Sequence, residues 1–82
     1  MIFVAVRALD YRDRLKYLRI DNDLQQKQIA EICGVSVPMV SHWETRRSHI
    51  PVPYLIKLCN YYQVSANYIL GLSEYAPPTL RR

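Results

Sequence analysis

A chain of 82 residues has room for one hydrophobic core, because a domain this small buries only about 60% of the surface its unfolded chain exposes. Half of the residues are hydrophobic, which excludes a disordered chain, and no apolar run nears the roughly 18 residues of a membrane-spanning helix. Eleven Lys and Arg against seven Asp and Glu leave a formal charge of +4, compatible with a nucleic-acid partner without being diagnostic of one.

Residues 1–9 open with the apolar run MIFVAV followed by Arg7. The positive charge comes after the run rather than before it, so the run fits a signal peptide poorly, and a cytoplasmic protein is expected. Ile2, Phe3, Val4 and Val6 favour strand and make a short arm that either packs back on the core or contacts a second subunit. Asp10 is placed to cap a first helix from Tyr11 to Asp21, with Asp13 near the positive end of the helix dipole. Tyr11, Leu15, Leu18 and, more weakly, Tyr17 are expected to face inward, whereas Arg12, Arg14, Lys16 and Arg19 face water or a partner. Asn22 follows as a left-handed C-cap, a conformation that asparagine tolerates.

The stretch Gln26 to Arg47, QKQIAEICGVSVPMVSHWETRR, carries the strongest signal. Ile29, Ala30, Ile32 and Cys33 recur at helical spacing in its first half, and Val40 and Trp43 in its second, so each half has one face to bury. Gly34 can reverse the chain at positive φ, Ser36 caps the next helix, and Pro38 is tolerated in the first turn. Only Gly34 and Val35 separate the second helix from that cap, which is the spacing of a helix-turn-helix. Val37, Pro38, Ser41 and His42 are left on the outer face, with Arg46 and Arg47 directly after it.

After Pro51 and Pro53, a fourth helix turns Leu55, Ile56, Leu58, Cys59 and Tyr62 inward. Gln63 and Val64 connect it to a short fifth helix that Ser65 caps and Gly71 stops. Residues 72–82, with Pro77 and Pro78, read as a tail. The expected architecture is therefore all-α, with five compact helices over 10–71, an apolar arm at 1–9 and a C-terminal tail. Cys33 and Cys59 fall at apolar helical positions and read as buried thiols, with no metal-ligand spacing around them. No acid is placed to orient His42 or His49, and no glycine loop cradles a phosphate, so neither an enzyme nor a cofactor is expected.

Arg14 to Gly71, 58 of the 82 residues, resembles the Cro and phage-repressor type of helix-turn-helix, also called the xenobiotic response element family. The resemblance rests on Leu15-Lys16-x-Leu18-Arg19, on Gln26-x-x-Ile29-Ala30-x-x-x-Gly34-Val35-Ser36, and on Val40-Ser41-x-Trp43-Glu44. Pro51, Leu55, Leu58 and Val64-Ser65-x-x-Tyr68-Ile69-Leu70-Gly71 continue it in register. It implies a lambda-repressor-like domain that binds double-stranded DNA as a homodimer on a palindromic operator, with its third helix, about 36–45, in the major groove. It also implies that Gln26, Ser36, Thr45, Arg46 and Arg47 contact the DNA backbone, that Val37, Pro38, Ser41 and His42 face base edges, and that Arg19 pairs with Glu44.

Three positions depart from the family pattern. Gln25 replaces the usual Thr or Ser cap of the second helix, which weakens that helix start by roughly 1 kcal/mol. Arg46 replaces the glycine that usually ends the recognition helix, so a left-handed arginine there is strained. The outer face of the third helix lacks the Arg, Asn and Gln side chains that pair bidentately with guanine or adenine, so few bases are read directly and DNA shape carries more of the discrimination. The leading expectation is a sequence-specific transcriptional regulator, repressor-like. The alternative is an antitoxin or other protein-interaction module on the same fold, with a toxin or regulator as partner, motivated by the apolar N-terminus and by Tyr61, Tyr62, Tyr68 and Tyr75.

Overall fold

The computed structural model describes residues 10–72; the arm at 1–9 and the tail beyond Leu72, Tyr75 included, lie outside the described residues. Five helices follow in order: α1 Tyr11–Asp21, α2 Gln26–Cys33, α3 Val37–Glu44, α4 Val52–Tyr62 and α5 Ala66–Leu70. There is no strand among the described residues. The core is Leu15 of α1, Ile29, Ala30 and Cys33 of α2, Val40 and Trp43 of α3, Ile50, Leu55, Leu58, Cys59 and Tyr62 around α4, and Ile69 of α5. Every helix thus contributes at least one fully packed side chain, which lets so short a chain hold together.

The helix starts follow ordinary capping chemistry. Asp10 Oδ1 accepts the Arg12 N–H at 2.6 Å, and Asp13 Oδ2 accepts the Asp10 N–H at 3.0 Å, so the two acids satisfy amides that the helix itself leaves unpaired. Ser36 Oγ accepts from Met39 N–H at 3.3 Å and Ser65 Oγ from Tyr68 N–H at 3.1 Å. The Gln25 side chain makes no capping hydrogen bond to α2, as its type predicts; Gln28 Oε1 instead accepts the Gln25 N–H at 2.7 Å.

The helix ends share a single device. Each helix is followed by a left-handed residue, namely Asp23, Gly34, Arg46, Gln63 and Gly71. The amide after it reaches back to a carbonyl in the last turn: Leu24 to Arg19, Val35 to Ala30, Arg47 to His42, Val64 to Cys59 and Leu72 to Asn67, at 2.8 to 3.1 Å. These six-to-one bonds are those of the Schellman motif, which satisfies carbonyls the helix leaves without donors. The expected left-handed Asn22 is corrected: Asn22 has φ −98° and the left-handed residue is Asp23, one place later. Asn22 instead uses its side-chain amide to donate to Leu18 O at 2.8 Å, which holds it at the helix end.

Two other expectations are corrected by packing. Tyr17 and Ile56, expected inward, lie exposed on α1 and α4, because Leu15 and Leu55 already fill the inner positions beside them. Arg12, Arg14 and Arg19, expected to face water or a partner, fold back on the molecule. Their guanidinium groups donate to the carbonyls of Ser48 at 3.1 Å, Tyr68 at 3.0 Å and Leu24 at 2.8 Å, so Arg12 and Arg14 tie α1 to distant segments and Arg19 ties it to the loop that follows it.

Candidate nucleic-acid interface

Helix α3 is built with one anchored face and one open face. Val40 is 1% and Trp43 2% exposed, and the Trp43 ring lies against Tyr54 with centroids 5.7 Å apart. The residues between these anchors must point the other way. Ser36, Val37, Pro38 and His42 are exposed and Ser41 is half-buried, so the five project as one surface from the first turn and middle of the helix. The side chains of Ser41 and His42 make no hydrogen bond among the described residues, which leaves their polar atoms available. Met39, given no role by sequence reasoning, is 40% exposed at the flank of this face. Its type gave no warning, since an unbranched hydrophobe near a helix start usually packs inward.

Behind the open face lies a polar hub. Glu44, at the last residue of α3, accepts from Arg19 Nε at 2.7 Å and from Arg19 Nη2 at 3.0 Å. Glu44 Oε1 also accepts from Gln26 Nε2 at 2.9 Å. The side chains of Arg19 and Glu44 are only 15% and 10% exposed, so this bidentate pair works in a low-dielectric setting where it fixes geometry more firmly than a surface pair. One carboxylate therefore sets the angle between α1, the start of α2 and the end of α3. Gln26 keeps its second amide hydrogen unused among the described residues, at the N-terminus of α2.

The remaining backbone candidates differ in availability. Ser36 Oγ accepts from within the chain but keeps its own proton to donate. Thr45 Oγ1 donates to Ser41 O at 2.9 Å, so contact with a phosphate requires the hydroxyl to release that bond. Arg47 is exposed and makes no side-chain hydrogen bond among the described residues. Arg46 is left-handed at φ 64° and its guanidinium is held by Asp13, with Nε 3.4 Å from Oδ1 and Nη2 closing the pair on Oδ2. The Arg46 hydrogen bond holds the Asp13 carboxyl below the usual aspartate range, and Arg12 does the same for Asp10.

No group of His, Cys, Asp and Glu among the described residues is arranged to hold a metal ion. Cys33 and Cys59 are free and buried, and burial pushes both thiols up from their ordinary value. No helix among the described residues is long and apolar enough to cross a membrane.

The comparisons with known proteins agree on this unit. A family model described as helix-turn-helix matches residues 15–69. The chain is 33% identical over 72 residues to a protein of Bacillus subtilis (strain 168) named an uncharacterized HTH-type transcriptional regulator, YobD, and this match takes in 88% of the chain and 64% of that relative. In fold, it is similar to a transcriptional regulator from Listeria innocua solved by crystallography, with a TM-score of 0.72 at 22% identity over 89% of this chain and 65% of that one. The chain thus spans somewhat under two thirds of the length of both relatives. With the matched residues running from Leu15 of α1 to Ile69 of α5, the chain belongs to the Cro/C1-type helix-turn-helix family of transcription regulators.

Proposed function

We propose that this chain is a sequence-specific double-stranded DNA-binding regulator, repressor-like, that lays α3 in the major groove. The observation that carries the reading is the open face of α3: Val37, Pro38, Ser41 and His42 project together from a helix anchored from behind by Val40, Trp43 and the Glu44 hub. Val37 and Pro38 suit thymine methyl groups, and Ser41 and His42 suit hydrogen-bonding base edges. Gln26, Ser36, Thr45 and Arg47 flank that face as phosphate contacts, which fix register without reading sequence. Arg46 shares their edge while held by Asp13.

The same reading includes a homodimer on a palindromic operator, since a single α3 covers one half-site and a two-fold pair spaces two such helices by about 34 Å. The surface we assign to it is the N-terminal arm with α4 and α5, whose described part carries exposed Val52, Ile56 and Tyr61 on α4 and Leu70 on α5. Sedimentation with and without DNA tests this: a 9.7 kDa monomer under both conditions contradicts the dimer.

Selection from a random duplex pool, followed by titration of the winner at about 50 and about 200 mM salt, tests DNA binding. Neutralised phosphates impose a slope of about −0.9 each in log K against log salt. Affinity that falls with salt and exceeds that for scrambled duplex supports the reading; salt-independent or absent binding refutes it. The alternative, an antitoxin or other protein-interaction module, draws on the same apolar α4 and α5 surface. A stable hetero-complex that survives substitution of His42 and Arg47, with no selected duplex, favours it.

A further inference from the structure

Three consecutive residues at the start of α1, Tyr11, Arg12 and Asp13, hold the loop that follows α3. Asp13 pairs with Arg46. Arg12, itself paired to Asp10 at 2.6 Å, donates to Ser48 O at 3.1 Å. The Tyr11 hydroxyl accepts the Ile50 N–H at 3.0 Å and lies 2.8 Å from His49 Nδ1, and the two rings stack with an interplanar angle of 5°. Residues 11–13 therefore engage positions 46, 48, 49 and 50, in a loop whose backbone pairing is limited to the Arg46 amide on Trp43 O and the Arg47 and Ser48 amides that return to His42 O.

We infer that the first turn of α1 is a clamp for the 46–50 loop, and that Asp13 and Arg46 are positioning residues that present Arg47 to the DNA backbone rather than phosphate contacts themselves. Resting on the DNA-binding reading, this sharpens the assignment at the C-terminal end of α3. The left-handed backbone at Arg46 sends its side chain back toward α1, where its Nε and Nη2 meet a carboxylate that also caps the helix. A guanidinium so held carries little net charge toward a phosphate, because the carboxylate stands beside it. The next residue, Arg47, has no such neighbour and stands exposed at the same edge.

Two readouts separate a clamp from a phosphate contact. The salt slope of DNA binding is measured for Arg46→Gln, Arg47→Gln, Asp13→Asn and the Asp13→Asn/Arg46→Gln double variant. Arg47→Gln is expected to flatten the slope by about 0.9. Arg46→Gln is expected to weaken binding about fivefold at unchanged slope, and the double variant to be no weaker than Arg46→Gln alone, since both changes open the same contact. Amide hydrogen exchange without DNA is the second readout: residues 46–50 exchange faster in Asp13→Asn and Arg46→Gln and at the wild-type rate in Arg47→Gln. Arg46→Gln flattening the slope as much as Arg47→Gln, or loop exchange unmoved by opening the Asp13 pair, overturns the clamp. If wild-type protein binds no duplex at all, the DNA reading fails while the exchange experiment still decides the clamp.

Discussion

Two arginine–carboxylate pairs join α1 to the end of the helix-turn-helix unit, and they differ in almost every respect but geometry. In one, the arginine is on α1 and the acid on α3: Arg19 and Glu44, 15% and 10% exposed, with Gln26 and Leu24 O completing the hydrogen bonds. In the other the roles are reversed: Asp13 on α1 holds Arg46 of the following loop, 15% and 46% exposed. Both are bidentate. The first is shielded and shared by three segments, so its loss leaves polar groups stranded in the interior. The second faces solvent, so its loss is readily made good by water. One sets the position of the recognition helix, the other the path of the chain as it leaves that helix.

The largest expected effect separates the two pairs at once. Glu44→Ala strands the Arg19 guanidinium, and denaturant unfolding should show a loss of about 3 kcal/mol. Asp13→Asn should lower stability by a small fraction of that. Equal losses would mean that the exposed pair is far better shielded than its geometry indicates.

Backbone strain gives the next contrast. Gln63 and Arg46 are both left-handed and both end a helix with the same motif. At Gln63, which makes no side-chain hydrogen bond among the described residues, replacement by glycine should raise stability by about 1 kcal/mol, because only the strain of a left-handed L-residue is removed. Arg46→Gly relieves the same strain but also opens the Asp13 pair, so thermal unfolding should show a smaller gain. A gain as large as at Gln63 would leave the Asp13 contact without energetic consequence.

Acid sharpens the comparison further. The folded-state carboxyl of Asp13 is held below its unfolded value of about 3.9 by Arg46. Its contribution is therefore fully present above that unfolded value and is lost as pH falls through the lower folded one. Unfolding curves of wild type and Asp13→Asn should differ at neutral pH and converge in strong acid; a difference that persists there would place the effect of Asp13 elsewhere. The smallest effect concerns the core behind both pairs. Cys33 and Cys59 are buried, with their thiols pushed up, so an alkylating reagent near neutral pH should label native protein far more slowly than unfolded protein.

Much of this was legible in the sequence because the physics is local. The helix spans follow from caps and apolar spacing: Asp10, Ser36 and Ser65 before the helices, Gly34 and Gly71 after them, Ile29, Val40 and Trp43 inside. The Arg19–Glu44 pair followed from family resemblance and lies where two well-determined helices meet. The left-handed ends at Asp23 and Gln63 were not legible, because a helix can end on any residue whose following amide reaches back, and glycine only makes that end cheaper. The clamp was less legible still. Tyr11, Arg12 and Asp13 lie more than thirty residues from the partners they hold, and no spacing rule connects a first-turn acid to a loop so distant. Tyr17 and Ile56 misled for a related reason, since their apolar type matches the helical period while the space beside them is already filled.

Whether the open face of α3 and its flanks meet DNA is decided by amide chemical-shift mapping of the labelled chain with a selected duplex. Perturbations should concentrate at residues 26, 36–38, 41–42 and 45–47, with the outer face of α4 around Val52 and Ile56 changing little apart from any effect of dimerisation. Perturbations confined to α4 and α5, with α3 unmoved, would contradict DNA contact through α3.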